Sequence, residues 1–196
     1  MFGIDKREAG KIVMDGKEIK KNSPIAARAA GLGLVPENRK EEGILPNMTV
    51  KKNITIVSLD QISKWIHISS KREEEVTQKL IDDLRVKTPT KEQLITKLSG
   101  GNQQKVILAR WLNKQGLKLL ILDEPTRGID VGAKAEIYNI TNELVKRGLS
   151  ILMVSSELPE IIGMCDRVYV MKDGKITGEF TKDEATETAL LAKAIH

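Results

Sequence analysis

An α/β fold built on a parallel sheet is predicted by three features of the chain. Two continuous apolar runs, "LKLLILD" (117–123) and "LSILMVS" (149–155), have the composition of strands buried on both faces. Two helical patterns, "NQQKVILARWLNKQ" (102–115) and "GAKAEIYNITNELVKRG" (132–148), alternate with them, as parallel crossovers require. Asp-Gly pairs at 15–16 and 173–174 sit inside alternating segments and predict antiparallel hairpins flanking that sheet.

The elements follow in order. "KIVMDGKEI" (11–19) alternates around its Asp-Gly pair and predicts the first hairpin. "SPIAARAAG" (23–31) predicts a short helix, with Pro24 in the first turn and Gly31 beyond the end. "LGLV" (32–35) is a strand stopped by Pro36. Residues 37–48 suit an exposed loop, with a helix starting near Thr49. "SSKREEEVTQKLIDDL" (69–84) is an amphipathic helix with Val76, Leu80, Ile81 and Leu84 on one face, and Ser70 with Glu73 predicts a capping box. The helix over 102–115 is apolar nearly all round its middle, so it is expected inside. That over 132–148 places Ile137, Ile140, Leu144 and Val145 on one face. "DRVYVMKDGKITGEF" (166–180) predicts the second hairpin, and 182–195 a last helix.

Composition narrows the function classes. Charged residues make up 30% of 196 and hydrophobic ones 40%, a globular balance with enough chain for a core. The net charge of +5 comes from Lys and Arg interleaved with Asp and Glu, as in "KREEE" (71–75). No basic stripe carries aromatics, so nucleic acid is not an expected partner. One cysteine, Cys165, excludes an internal disulfide and predicts a buried or part-buried thiol. With only His67 and His196 beside it, a Cys/His metal site is not expected. No apolar run approaches the ~20 residues of a membrane span.

Two short motifs carry chemistry. Asp123 and Glu124 follow the apolar run directly, so a buried strand would deliver two carboxylates to the crevice where open α/β sheets bind ligands. Asp123 suits Mg²⁺, which takes oxygen ligands and retains water. Glu124 suits the orientation or deprotonation of an attacking water. The second motif is "LSGG" (98–101), a small-residue turn that opens a helix, where free amides and the helix dipole favour an anion. Each alone also describes an ordinary acidic turn or a serine cap.

Their order distinguishes the readings. "LSGGNQQK", a buried helix, "LLILDEPTRGID", a helix and "ILMVSSE" together resemble the nucleotide-binding domain of ATP-binding cassette (ABC) proteins. Leu98 to Gly101 are similar to that family's signature, Leu119 to Glu124 to its Walker B strand, and Gly128-Ile129-Asp130 to its D-loop. "VPENRKEEGI" (35–44), "LSGGNQQKV" and "DEPTRGIDVGAK" (123–134) further resemble the second, C-terminal cassette of monosaccharide importer ATPases of the ribose, galactose, arabinose and xylose type.

The resemblance, which covers essentially the whole chain, implies a truncated P-loop NTPase-like ABC domain over residues 1–196. Residues 1–36 would be a core remnant with a hairpin, 37–100 a helical subdomain, and 101–196 the α/β core with its late hairpin and helix. It implies ATP and Mg²⁺ as cofactors, with Asp123 at the metal. Ser99, Gly100, Gly101, Asn102, Gln103 and Asp130 would meet ATP, and Glu124, Ser156 and Glu37 would stand at the catalytic positions. Implied partners are an N-terminal cassette of the same polypeptide, membrane permease subunits and, indirectly, a periplasmic or extracellular sugar-binding protein. The implied location is the cytoplasmic face of a bacterial membrane.

Departures from the pattern are specific. The phosphate loop G-x-x-x-x-G-K-[ST], which the family carries upstream together with an adenine-stacking aromatic, is absent from this sequence. Ser156 stands at the place of the usual switch histidine, Glu37 at that of the Q-loop glutamine, and Asn102 where many cassettes have glutamine. The chain would then be part of one cassette, inactive alone, whose signature turn completes an ATP site held by a partner. Soluble ABC ATPases of translation or antibiotic resistance favour an "EPTNHLD"-type loop, which "EPTRGID" does not match. Chromosome-maintenance ATPases insert long coiled coils, and no sustained heptads occur here. A non-catalytic regulatory cassette is the remaining alternative. Ile44, Leu45, Met48 and Val50 are expected either to line a docking groove for membrane subunits or to pack the helical subdomain itself.

Overall fold

A computed structural model describes residues 1–64 and 67–195. His196 lies outside the described residues. The chain divides into two compact units, residues 1–152 and 153–196.

In the first unit, strands β1 (Val13–Met14) and β2 (Lys17–Glu18) pair antiparallel. Asp15 (φ 48°) and Gly16 (φ 75°) both adopt left-handed backbone, the conformation a type I′ hairpin demands. Helix α1 (Pro24–Ala29) begins where Ser23 Oγ accepts the Ala26 amide at 3.3 Å. It leads into β3 (Leu32–Val35), which pairs in parallel with β6 (Leu119–Asp123) from Leu32↔Leu119 to Val35↔Leu122. Ala27, Leu32 and Ile121 form a buried cluster with Phe2, Met14 and Ile19 against it.

After β3 the chain makes one wide helical turn over Arg39–Gly43 and enters α2 (Val50–Thr55), capped by Thr49. Helix α3 (Leu59–Ile62) follows, then a small hairpin of β4 (Ser63–Lys64) and β5 (His67–Ile68), and helix α4 (Ser70–Asp83). Of the four apolar residues weighed for a docking groove, Ile44 and Val50 are buried and belong to this region's own core. Met48 stays exposed.

The cap of α4 differs from expectation. Ser69, not Ser70, accepts the Arg72 amide, and Glu73 is not part of a capping box. Glu73 is instead buried, accepting from Thr55 Oγ1 at 2.9 Å and from Lys52 Nζ at 3.3 Å. The inward face of α4 is therefore Glu73, Thr77, Leu80 and Ile81. Two adjacent serines offer the same cap chemistry one residue apart, and the packing of Glu73 on α2 selects the register.

Helix α5 (Gly100–Leu112) is the axis of the unit, packing on α2, α4, β3 and α6 (Val131–Lys146). Its residues Gln103 to Trp111 are all buried, as its all-round apolar middle predicts. Trp111 donates from Nε1 to the Leu34 carbonyl at 2.7 Å and meets Phe2 edge-on at 5.7 Å. Arg110 crosses to the preceding region: Nη1 donates to the Gly43 carbonyl at 2.6 Å, Nε to the Asn53 carbonyl at 2.8 Å, and Nη2 to Asn53 Oδ1 at 2.9 Å. Burial pushes its guanidinium down to about 10. On α6, Ile137 and Leu144 are buried as expected, but Ile140 is only half-buried and Val145 is exposed.

Strand β7 (Ser150–Val154) lies next to β6 at the end of the three-stranded sheet, and the boundary between the units falls within it. It alternates between half-buried and exposed residues, with Val154 50% exposed, so the expectation of a strand buried on both faces is corrected. The apolar run Ile151 to Val154 reports only that no position within it is polar. It does not report that both faces are covered among the described residues.

The second unit contains α7 (Leu158–Met164), the hairpin of β8 (Arg167–Lys172) and β9 (Lys175–Thr181), and α8 (Glu187–Ile195). Asp173 (φ 49°) and Gly174 (φ 75°) repeat the turn of the first hairpin. Ile161, Val168, Ala185 and Leu190 form its core, with Phe180 and Cys165 packed against them. The Cys165 thiol is pushed up by burial and by the nearby Glu160 and Asp166 carboxylates, so it is a poor nucleophile.

The Arg110 bonds generate a stability prediction. Arg110→Ala leaves buried carbonyls of Gly43 and Asn53 without their donor and costs about 3 kcal/mol. Arg110→Lys keeps the charge but not the three-way fork, and falls between the two. Urea denaturation reads this as a lowered midpoint in the order Ala, Lys, wild type.

Candidate functional site: the strand-end acids and the turn that opens α5

Strand β6 ends with Asp123 at the edge of the buried core, and the chain turns sharply there. Glu124 takes φ 44°, a left-handed conformation that costs a non-glycine residue energy and marks a constrained loop. Asp123 is half-buried. Burial first, and the charge of Glu124 second, hold its carboxyl above the usual aspartate range. Thr126 is buried beneath the loop. The loop then closes on itself, with the Arg127 amide on the Glu124 carbonyl at 3.1 Å and the Ile129 amide on the Thr126 carbonyl at 3.2 Å. Gly128 (φ 65°) makes the bend, and Asp130 caps α6 by accepting the Ala133 amide at 2.9 Å through Oδ1.

The turn that opens α5 lies against this loop. Ser99 occupies the cap position, but its hydroxyl makes no capping bond. It accepts instead from Asn102 Nδ2 at 2.9 Å, while Asn102 Oδ1 accepts the Lys87 amide at 2.7 Å. The first-turn amides of α5 thus lack a side-chain cap, the condition under which a helix start attracts an anion. Gln103 faces inward, donating to the carbonyls of Leu98 at 3.1 Å and Ile95 at 3.3 Å, and its buried Oε1 has no partner. Its place is beneath the turn, not on its open side.

Close approach explains the two glycines. A Cβ on Gly100 would stand 2.6 Å from Arg39 Nη2 and 3.5 Å from the Gly128 carbonyl oxygen, and one on Gly101 would stand 2.5 Å from the Ala133 Cβ. Ser99, Gly101, Asn102, Asp130 and Gly132 border a shared hollow of about 280 Å³. A larger cleft of about 650 Å³ between α4, α5 and α6, floored by Leu80, Leu84 and Leu144, contains none of the acids or turn residues. The smaller hollow adjoins the turn that opens α5, and neither is lined by Asp123 or Glu124.

Glu37, on the exposed stretch after β3, is joined to the same loop by an ion pair with Arg127. Arg39, which sequence reasoning missed, adds hydrogen bonds to the carbonyls of Arg127 at 2.7 Å and Gly128 at 3.0 Å. Ser156 belongs to the second unit, where Ser155 Oγ donates to the Glu160 carboxylate and accepts the Glu157 amide at 3.1 Å. Eight expected site residues, namely Glu37, Ser99, Gly100, Gly101, Asn102, Asp123, Glu124 and Asp130, therefore lie on connected segments of one unit. Gln103 underpins them.

Asp123 presents the kind of carboxylate oxygen that a Mg²⁺ ion retaining most of its water would take. Asp123 and Glu124 supply oxygen at the strand end, and no cluster of three or more metal-ligating side chains exists among the described residues. When bound, such an ion would neutralise phosphate oxygens.

Residues 1–127 match the ABC transporter family. The chain is 48% identical over 194 residues to the putative ribose/galactose/methyl galactoside import ATP-binding protein 1 of Rhizobium etli, covering 99% of the chain and 37% of that relative. It is 45% identical to the ribose import ATP-binding protein RbsA of Oceanobacillus iheyensis (99% and 39% covered). It is 49% identical to the arabinose import ATP-binding protein AraG 1 of Burkholderia thailandensis (100% and 39% covered). The chain thus spans well under half the length of these relatives. Among solved structures, a nucleotide-free ATP-binding cassette from an ABC transporter superposes with a TM-score of 0.81 at 22% identity, covering 100% of this chain and 80% of that one. That likeness shows the fold, and with the family match over residues 1–127 the chain belongs to the ABC transporter family.

Proposed function

We propose that the chain is the greater part of the second ATP-binding cassette of a monosaccharide importer, and that it serves ATP turnover at a composite site between two cassettes. The observation that carries this reading is the uncapped turn Ser99–Gly101 seated against the strand-end loop of Asp123 to Asp130. The relatives' names give the substrate class, and their greater length leaves room for a first cassette. The sequence contains no G-x-x-x-x-G-K-[ST] loop, so the triphosphate's charge must be held by residues of another segment.

In this reading Ser99 and the first amides of α5 donate to the γ-phosphate of ATP held by the first cassette, with Asn102 fixing the Ser99 hydroxyl and Gln103 supporting the turn. Asp130 holds the start of α6 beside them. Asp123, Glu124, Glu37 and Ser156 serve the other composite site. There Asp123 would hold Mg²⁺ through oxygen and water, and Glu124 would orient the attacking water. Serine at position 156 provides a hydroxyl where a histidine would provide a ring nitrogen, so that second site is the weaker. Membrane permease subunits and a sugar-binding protein complete the assembly at the cytoplasmic face of the membrane. Residues 37–100 form the lobe that meets the permease. No described helix is long and apolar enough to cross a membrane.

Three outcomes follow. In the full-length protein, Ser99→Arg lowers steady-state ATP hydrolysis by about 10²-fold, the loss seen when a preorganised donor to developing charge is removed, while Glu124→Gln lowers it by less. Complete loss with Glu124→Gln and near-normal turnover with Ser99→Arg would reverse the assignment. The chain of 196 residues alone, assayed for phosphate release, shows no turnover above background. Finally, carboxyl-carbon NMR of Asp123 shows a titration above the usual aspartate range, and Glu124→Gln moves it downward but not to the ordinary value, since burial is the larger cause. Mg²⁺ affinity then weakens as pH falls toward that raised value, because the ligand must be ionised.

A further inference from the structure

We infer that Arg39 is a positioning residue for the ATP site, fixing the strand-end loop against the turn that opens α5; the inference rests on the proposed cassette function for its kinetic consequence and on geometry alone for its structural one. Three segments far apart in sequence converge on this one side chain. Nη1 donates to the Arg127 carbonyl at 2.7 Å and Nη2 to the Gly128 carbonyl at 3.0 Å. The same Nη2 lies 2.6 Å from where a Cβ of Gly100 would stand. Arg39 itself starts the wide turn Arg39–Gly43 that leads from β3 into the helical region.

The choice of partners is informative. An arginine in a loop ordinarily finds a carboxylate or water. Here the nearby carboxylate of Glu37 pairs with Arg127, and the Arg39 fork goes to two consecutive carbonyls. Its Nε is buried without a partner, and burial lowers its affinity for its proton. A charge placed this way costs desolvation and gains two charge-assisted bonds, both spent on the backbone of one loop. That loop needs restraint, because it begins at Glu124 with φ 44° and bends at Gly128 with φ 65°. Lysine has the charge but not the planar fork, so it reaches one carbonyl where arginine reaches two.

The consequence is directional. Arg39 bonds the backbone of the loop that follows Asp123 and Glu124, at Arg127 and Gly128, and acts through it. Displacing Arg127 and Gly128 would shift Glu124 at one end and Asp130 at the other, while leaving the amides of the α5 turn in place. Placement of reacting groups should therefore suffer more than nucleotide affinity.

The test uses the full-length protein with Arg39→Met, which keeps the apolar stem, and Arg39→Lys. Arg39→Met is expected to lower kcat for ATP hydrolysis between about tenfold and about 10²-fold, the scale of a misplacement remote from the chemistry, with KM within about threefold of wild type. Arg39→Lys should recover little of the loss. Amide hydrogen exchange of both variants should show faster exchange across residues 127–130, with α5 unchanged. Wild-type kcat in Arg39→Met, full recovery in Arg39→Lys, or a rise in KM at constant kcat would overturn the role. If the wild-type protein itself hydrolyses no ATP, the cassette function fails. The exchange comparison then decides Arg39 alone, and unchanged exchange over 127–130 would sink it.

Discussion

The start of α5 is where this structure has no room to spare. Gly100 lies against Arg39 and the Gly128 carbonyl, and Gly101 lies against Ala133 at the start of α6. A side chain at Gly101 would push α5 off α6, and one at Gly100 would displace the Arg39 fork. Because α5 is also the buried axis on which α2, α4, β3 and α6 pack, the close approach fixes the turn within a rigid frame. The uncapped amides of that turn are therefore presented in one place, a condition that electrostatic stabilisation of a phosphate requires.

Much of this was legible beforehand, and the reasons differ by element. Asp-Gly pairs state a backbone conformation directly, since both residues of a type I′ turn need positive φ, and both hairpins formed where expected. The all-round apolar middle of α5 and the run of β6 are long enough to overrule local preference. Ser69 against Ser70 was beyond reach, because capping chemistry is the same at both and the choice was made by Glu73 on α2. The open face of β7 was equally invisible, since alternation carries no signal across the four consecutive apolar residues from Ile151 to Val154. The candidate acids and the serine-glycine turn were found through motif order, and Arg39 was missed because a loop arginine bonded to carbonyls has no period, no spacing and no partner motif.

A common device runs through the parts that sequence did not disclose. Arg110 bonds the carbonyls of Gly43 and Asn53, Lys105 bonds the carbonyl of Arg85 at 2.9 Å, and Arg39 bonds those of Arg127 and Gly128. In each case a cation on one segment fastens the backbone of another remote in sequence. A carbonyl is available at every residue, so such ties place few demands on neighbouring side chains. They also hold loops whose own apolar content is too low to bury.

This arrangement bears on the acids at the strand end. The Arg39 fork is committed to two carbonyls, and the Arg127 side chain is engaged by Glu37. Asp123 consequently feels burial and the charge of Glu124, both acting in the same direction. A carboxylate with that electrostatic balance is costly in an isolated fold and favourable beside a divalent cation, whose charge reverses the sign of its interaction with the site. The same geometry that makes the strand end an expensive place for Asp123 thus makes it a suitable oxygen donor. Arg39 restrains the loop that follows through its backbone carbonyls.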